Sequence, residues 1–265
     1  MYKFDYHAPA SRQAAITLAR DNDESQFLAG GMTLLPVMKL RLASPDSLIS
    51  LAGVPDLEGV EVSPSTISIG AMTRHADVAA DPAIREHCSA LSALAGLIGD
   101  PQVRNRGTLG GSLATNHPAA DYPAAVLALD ALITTDRRVL KADEFFKGLF
   151  ETALEAGELI TEVAFKVPDA AAYEKFPDPA SRYAIVGVFV ARFGSDVRLA
   201  VTGAGDHAFR YAVAEGALAA DFSVEALNDV SLDSAELLED LHANSDYRAH
   251  LINVLARNAV KRLLG

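Results

Sequence analysis

Cysteine is almost missing from this chain: Cys88 is the only one in 265 residues. One thiol cannot close a disulfide within the chain, and it cannot form the thiolate cluster that zinc or an iron–sulfur centre needs. Its place in an apolar, helix-like stretch suits a small buried hydrophobe better than a nucleophile. Redox chemistry on this chain therefore needs an organic cofactor. Positive charge is also short, with 23 Lys and Arg against 35 Asp and Glu, a net charge of −12. A nucleic-acid partner requires a concentrated basic face. The nearest approach to one is Lys39, Arg41, Arg104 and Arg106, which suits one small anion better than a polymer. In the C-terminal third the longest apolar stretch is Ala184–Ala191, far below the roughly 20 residues that span a bilayer. The opening MYKFDYHAPASR carries no apolar signal region, so the expectation is a cytoplasmic protein.

Familiar catalytic signatures are missing as well. There is no G-x-G-x-x-G of an ordinary dinucleotide fold, no G-K-[ST], no G-x-S-x-G and no H-E-x-x-H. The seven histidines do not cluster. His117 and Asp121 are four apart and could share a helix face, but two ligands do not make a metal site. The expectation is no metal and no catalytic side chain, with Asp121 hydrogen-bonding a sugar or base.

What the chain does have is a pair of glycine-bearing apolar segments, Leu28–Leu42 (LAGGMTLLPVMKLRL) and Arg104–Ala125 (RNRGTLGGSLATNHPAADYPAA). Each sets Gly-Gly beside Thr or Ser. Adjacent glycines let the backbone turn and leave its N–H groups uncovered, and converging N–H groups bind anions. Two such turns could grip the phosphates of a dinucleotide from opposite sides. They could equally be tight turns between core elements.

The pattern around them is mixed. A helix follows Ser11, with Ala14, Ala15, Leu18 and Ala19 on one face, and Gln26–Ala29 is a strand entering the first Gly-Gly. Leu34, Leu35, Met38 and Leu42 mark a helix beyond it, with Pro36 near its start. Leu48–Leu51 and Thr66–Met72 read as strands, with a polar break at 54–64 between them. Asp77–Cys88 and Ala90–Ile98 read as helices. Ala124–Thr135 reads as an apolar strand, Val139–Phe146 as a short strand or helix, and Glu158–Val167 as a strand. Pro168–Pro179, with three prolines, is the expected domain boundary. Tyr183–Phe193 and Val197–Ala204 form a hairpin about Gly194-Ser195, and helices follow to the C-terminus. Strands and helices segregate there, which makes the class α+β.

With these residues in view, the chain resembles the FAD-binding (medium) subunit of the molybdenum hydroxylases, of the carbon monoxide dehydrogenase and xanthine dehydrogenase type. The resemblance rests on Ala29–Leu42, on Ile69–Ala79 (IGAMTRHADVA), on Asp100–Ala125, on Glu158–Val163 (ELITEV) and on Tyr173–Ala191 (YEKFPDPASRYAIVGVFVA). Arg198–Gly205 (RLAVTGAG) and Leu241–Leu251 extend it over nearly the whole chain. It implies a PCMH-type FAD-binding fold of two α/β subdomains, residues 1–55 and 56–170. A C-terminal domain, residues 171–265, would carry a small antiparallel sheet packed on helices.

FAD is the implied cofactor. The implied contacts from the first segment are Ala29, Gly30, Gly31, Met32, Thr33 and Leu34. The second supplies Gly107, Thr108, Gly110, Gly111, Ser112 and Ala114, with Asp121 on the ribose or adenine side. Ile160 would pack on the flavin or adenine, and Lys175, otherwise a solvated lysine at the domain junction, would lie near the ring system. His117 stands where the family more often has Asp, and Arg182-Tyr183 where other branches carry Arg-Arg and Asp. The implied role is an electron-transfer subunit beside an iron–sulfur (small) and a molybdenum-cofactor (large) subunit, in a hetero-oligomer, as a dimer of heterotrimers. It would take electrons from the former and pass them to an external acceptor. Two rival readings are a stand-alone FAD oxidoreductase and a scaffold module without cofactor. A covalent flavin would have His117 or His75 as its only candidates.

Overall fold

The structure is a computed structural model describing all 265 residues. Its strands form three main sheets that follow one another along the chain. The first is parallel, ordered β1 (Asp5–His7), β3 (Ser47–Ser50), β2 (Ser25–Leu28). Helix α1 (Arg12–Arg20) crosses between β1 and β2, capped by Ser11, whose hydroxyl accepts from the Ala14 amide at 3.2 Å. Ala15, Ile16 and Ala19 bury its apolar stripe against Ile49 and Leu51. After β2 the chain turns through the first glycine segment into the short helix α2 (Leu34–Lys39).

The second sheet is antiparallel, ordered β4 (Val60–Val62), β5 (Thr66–Gly70), β10 (Ile160–Lys166), β6 (Leu132–Thr135), β7 (Val139–Lys141). Between β5 and β6 run the helices α3 (His75–Ala80), α4 (Pro82–His87), α5 (Ser89–Gly96), α6 (Pro101–Arg104), α7 (Leu109–Thr115) and α8 (Tyr122–Ala128). A one-turn helix, α9 (Ala142–Phe145), follows β7 and leads to a small hairpin of β8 (Phe146–Gly148) and β9 (Glu151–Thr152). The third sheet is the antiparallel run β11 (Ala170–Pro177), β12 (Ala184–Phe193), β13 (Asp196–Thr202), β14 (Phe209–Arg210). The hairpin about Gly194 is there, with Gly194 at φ +63°. Helices α10 (Ala212–Ala220) and α11 (Ser245–Leu264) cover one face of this sheet. The fold is therefore α+β, with the C-terminal antiparallel sheet packed on helices.

Alternation along β12 and β13 shows how the parts share cores. Val186, Val188, Val190, Leu199 and Val201 face α10 and α11, whereas Phe189, Ala191 and Ala200 join the core around α5 and α8. Eight of the ten β12 residues are buried, so this sheet is sandwiched between two helical layers. No helix is long and apolar enough to cross a membrane.

Several local readings change. Ala124–Thr135 is not one strand: its first half belongs to α8, all seven of whose residues are buried. A helix with no polar side shows no 3.6-residue pattern, while its alanines favour helix. Asp77–Cys88 breaks at Asp81, whose carboxylate caps α4 at the Ile84 amide, 2.9 Å away, with Pro82 following. The polar break at 54–64 holds edge strand β4. Most of the proline-bearing stretch 168–179 is strand β11, with Pro177 at its end. Cys88 is buried between α4 and α5, and burial pushes its thiol up to about 11.

Candidate functional site

A cleft of about 720 Å³ opens beside β2, between the first glycine segment, the turn into α7 and the loop that joins β11 to β12, inside the range typical of cofactor sites. Its walls are Ala29–Leu34, the turn into α7, the β8–β9 hairpin with residues 152–158, and Ser181–Tyr183. Of the fifteen expected site residues, twelve line it: Ala29, Gly30, Gly31, Met32, Thr33, Leu34, Gly107, Thr108, Gly111, Ser112, Ala114 and Asp121.

The first segment makes an amide row. None of the six consecutive backbone N–H groups from Ala29 to Leu34 has an acceptor anywhere in the chain. Buried or half-buried N–H groups are otherwise almost always paired; five of these residues are half-buried and Met32 is exposed, and so many unpaired donors in a row along one wall form an anion cradle. The two glycines do different jobs there. Gly31 holds φ +72°, a left-handed turn. Gly30 is needed for space: a Cβ on it would stand 2.0 Å from the Arg106 carbonyl oxygen and 2.9 Å from the Gly107 Cα. The two glycine segments therefore touch each other, and do not face each other across the cleft.

The second segment works differently from the first. The Gly107 amide donates to the Val103 carbonyl at 2.7 Å, Leu109 to Thr73 at 3.1 Å and Gly110 to Ala71 at 2.8 Å. Gly110 is buried and off the cleft wall; a Cβ there would meet the Ala71 Cβ at 2.6 Å. Its role is close packing of α7 on the end of β5. The Thr108 hydroxyl caps α7 at the Gly111 amide, 3.2 Å away. Only the Thr108 amide is left without an acceptor in the turn from Gly107 to Ser112. This segment contributes shape and hydroxyls, and the first contributes the donors.

Side-chain cations contribute little. Arg104 donates to the carbonyls of Ile98 and Gly99, both at 3.0 Å, and so holds a wall loop in place. Lys39, Arg41 and Arg106 lie off the wall; Arg182 is its one Lys or Arg.

Asp121 and Lys175 are brought together, but differently from the expectation. The Lys175 ammonium sits 2.8 and 2.9 Å from the two Asp121 carboxylate oxygens, and both side chains are 3% exposed. Tyr173 donates its hydroxyl to the same carboxylate, and Lys175 also reaches the Leu97 carbonyl at 3.2 Å. Burial raises the Asp121 carboxyl above the usual carboxylate range, against the pull of Lys175 and Tyr173. Lys175 is therefore a buried ion-pair partner behind the wall, and it is not solvated. Ile160 is also behind the wall, 3% exposed at the start of β10. His117 and Asp121 do not share a helix face, because α8 begins only at Tyr122.

Three wall residues are not among the expected binding residues, although the sequence marks His75 as a candidate for a covalent flavin. Phe150, at the tip of the β8–β9 hairpin, is 55% exposed with φ +57°. It meets His117 edge-on, with 5.3 Å between centroids, and His117 stacks on Tyr183 at 4.4 Å and 13°. This makes an aromatic lip at one end of the cleft. His75 lies beside Gly107, inside a segment already noted for its resemblance. The third is Glu158, whose side chain is buried. Burial alone would raise its carboxyl, but Arg138 at 2.8 and 2.9 Å, the Glu155 amide at 2.8 Å and the Thr135 hydroxyl at 2.7 Å outweigh that and hold it at about 2.

That lowered value is a stability statement. The unfolded carboxyl titrates near 4.5, so the contribution is full above that pH and is lost as pH falls towards 2. Glu158→Gln should cost roughly 2–3 kcal/mol at pH 7. Urea unfolding of both proteins at pH 7 and pH 4 checks this, because the difference should narrow at the lower pH.

Comparison with known proteins agrees with this geometry. Residues 2–169 match the family described as the FAD binding domain in molybdopterin dehydrogenase. The carbon monoxide dehydrogenase medium chain of Hydrogenophaga pseudoflava is 35% identical over 97% of this chain and 96% of its own. The nicotine 6-hydroxylase medium subunit of Paenarthrobacter nicotinovorans is also 35% identical, over 96% of this chain and 95% of its own. The solved structure of reconstituted CO dehydrogenase from Oligotropha carboxidovorans superposes with a TM-score of 0.91 at 30% identity, covering 99% of this chain and 98% of that one. A cleft built on an amide row, with glycines that only glycine can replace, fits a dinucleotide pyrophosphate, and the chain belongs to the family of FAD-binding domains of molybdopterin dehydrogenases, an oxidoreductase subunit with FAD as its cofactor.

Proposed function

We propose that this chain is the electron-transfer subunit of a cytoplasmic, multi-subunit molybdenum hydroxylase, receiving electrons from an iron–sulfur subunit and passing them to an external acceptor. The observation that carries the reading is the row of six acceptor-free amides, Ala29–Leu34, along the cleft. Charge-assisted hydrogen bonds contribute roughly 1.5–3 kcal/mol each, so even part of this row supports tight noncovalent binding. FAD supplies the redox chemistry when bound. The chain's own residues bind it, orient it and exclude water.

Two further features favour a carrier over a self-sufficient oxidase. Of the four carboxylates on the wall, the two buried ones, Asp121 and Glu158, are locked into pairs with Lys175 and Arg138, and Cys88 is buried, so these groups are not free for proton transfer or nucleophilic attack. With one cysteine, the chain cannot hold an iron–sulfur cluster, so such a centre sits on another subunit. The relatives' names, medium chain and medium subunit, support a complex with small and large partners; a dimer of heterotrimers is the assembly proposed for it.

The test is the visible absorption spectrum of the purified chain, before and after adding FAD and removing the excess. Flavin bands released as FAD by acid are expected. In Gly111→Asp they should vanish, because the new side chain puts a carboxylate into a cleft built for an anion, and its Cβ alone would stand 2.9 Å from the Thr108 hydroxyl oxygen and 3.4 Å from the Ala29 Cβ. Full flavin content in that variant would overturn the site assignment. A flat spectrum from the wild-type chain even when bound to its partners would overturn the function.

A further inference from the structure

The turn of the second glycine segment commits all of its amides but that of Thr108 internally, and one side chain stands beside it with a nitrogen to offer. His75 opens α3, and its backbone amide donates to the Gly107 carbonyl at 3.0 Å. The imidazole is 5% exposed and forms part of the cleft wall next to Gly107 and Thr108. Its ring leans on Tyr122, with 5.3 Å between centroids. Nδ1 is fully enclosed and has no partner. Nε2 also makes no hydrogen bond within the chain, and it lies 2.6 Å from the position a Cβ on Gly107 would take. Glycine at 107 is what leaves room for this ring at the wall.

The charge state follows from the surroundings. Burial, helped by the nearby Arg104 guanidinium, holds the imidazole down at about 4, so it is neutral at pH 7 and carries one proton. A proton on Nδ1 would be a buried N–H without an acceptor, the rarer and costlier kind of orphan. The proton therefore belongs on Nε2, and the neutral ring is a donor on its cleft side.

We propose that His75 is a cofactor-binding residue whose Nε2–H donates to a phosphate oxygen of the bound dinucleotide at the seam between the two glycine segments. The proposal rests on the FAD reading of the cleft. The seam is where Gly30 abuts Arg106 and Gly107, so the amide row, the Thr108 amide and Nε2 converge on one region. His75 supplies from a side chain a donor that Gly107 and Gly110 cannot, because their amides are already used.

His75→Phe keeps an aromatic ring and removes both nitrogens, whereas His75→Gln offers an amide N–H in place of Nε2–H. The dissociation constant for FAD is measured by flavin fluorescence on the purified chain, with the thermal midpoint of the flavin-free protein recorded alongside. The Phe variant should bind FAD about 10- to 100-fold more weakly with an unchanged flavin-free midpoint, the equivalent of one charge-assisted hydrogen bond. The Gln variant should return to within about fivefold of wild type. Unchanged affinity in the Phe variant makes His75 a core histidine and overturns the proposal while leaving the FAD site intact. Failure of the wild-type chain to bind FAD overturns the reading beneath it as well. Should the Phe variant not fold, the nitrogen-15 resonance of His75 Nε2 in the wild-type chain decides: a shift on adding FAD supports the bond, and no shift overturns it.

Discussion

Gly30→Ala should all but abolish FAD binding, although it adds only one methyl group. The new Cβ would stand 2.0 Å from the Arg106 carbonyl oxygen and 2.6 Å from its carbon. Both are backbone atoms, and no rotamer change can relieve the clash, so one glycine segment must move away from the other. Overpacking of this kind typically costs 1–3 kcal/mol, occasionally more. The displaced segment is also the one carrying the amide row. Loss of even two charge-assisted hydrogen bonds weakens binding by at least about 100-fold. Gly216→Ala is the matching control. That glycine lies exposed within α10, with nothing within 4 Å of its added Cβ, and the change should stabilise the chain by up to ~1 kcal/mol. Fluorescence titration with FAD and thermal melts of both variants give the comparison. Wild-type affinity in Gly30→Ala would mean that the contact between the segments is incidental.

The asymmetry between the two segments marks the limit of what the sequence could say. The first was legible because its consequences are local: a strand runs into Gly-Gly, and Pro36 and the leucines that follow specify a helix. Nothing nearby competes for its amides. The second has the denser motif, but the amides of Leu109 and Gly110 find acceptors in Thr73 and Ala71, more than thirty residues earlier, and no local pattern reports such a partner. The same holds for Asp121 and Lys175, which are 54 positions apart. Helix α8 was misread for a related reason, since burial on every side erased the polar face that would have shown its period. Strands β1 and β4, three residues each at sheet edges, are too short to alternate visibly. By contrast, β12 and β13 were legible because a long apolar run, a Gly-Ser turn and a second run leave few alternatives to a hairpin.

The Asp121–Lys175 pair gives the other large effect, on stability. Removing one partner of a buried ion pair leaves an uncompensated charge and typically costs 3–5 kcal/mol. Lys175→Ala should therefore destabilise the chain by about that much at pH 7. A solvated lysine at a domain junction would cost well under 1 kcal/mol. The variant has one escape, which is to fold with Asp121 protonated. Burial already favours the neutral acid there, and without the ammonium its folded pKa rises further above the unfolded value of about 3.9. A raised acid pKa leaves the folded state intact below the unfolded pKa and costs more as pH rises towards the folded one. The loss should consequently be small near pH 4 and grow towards neutrality, the reverse of the pattern at Glu158. Adding Asp121→Asn to Lys175→Met removes both charges and keeps a carbonyl oxygen for the Tyr173 hydroxyl. That double variant should recover most of the stability, because a buried pair replaced by neutral groups of similar size is often close to neutral overall. Urea unfolding of the single and double variants at pH 5 and pH 7 separates the outcomes. Equal destabilisation at both pH values, with no recovery in the double variant, would mean that Lys175 matters through its packing and not through its charge.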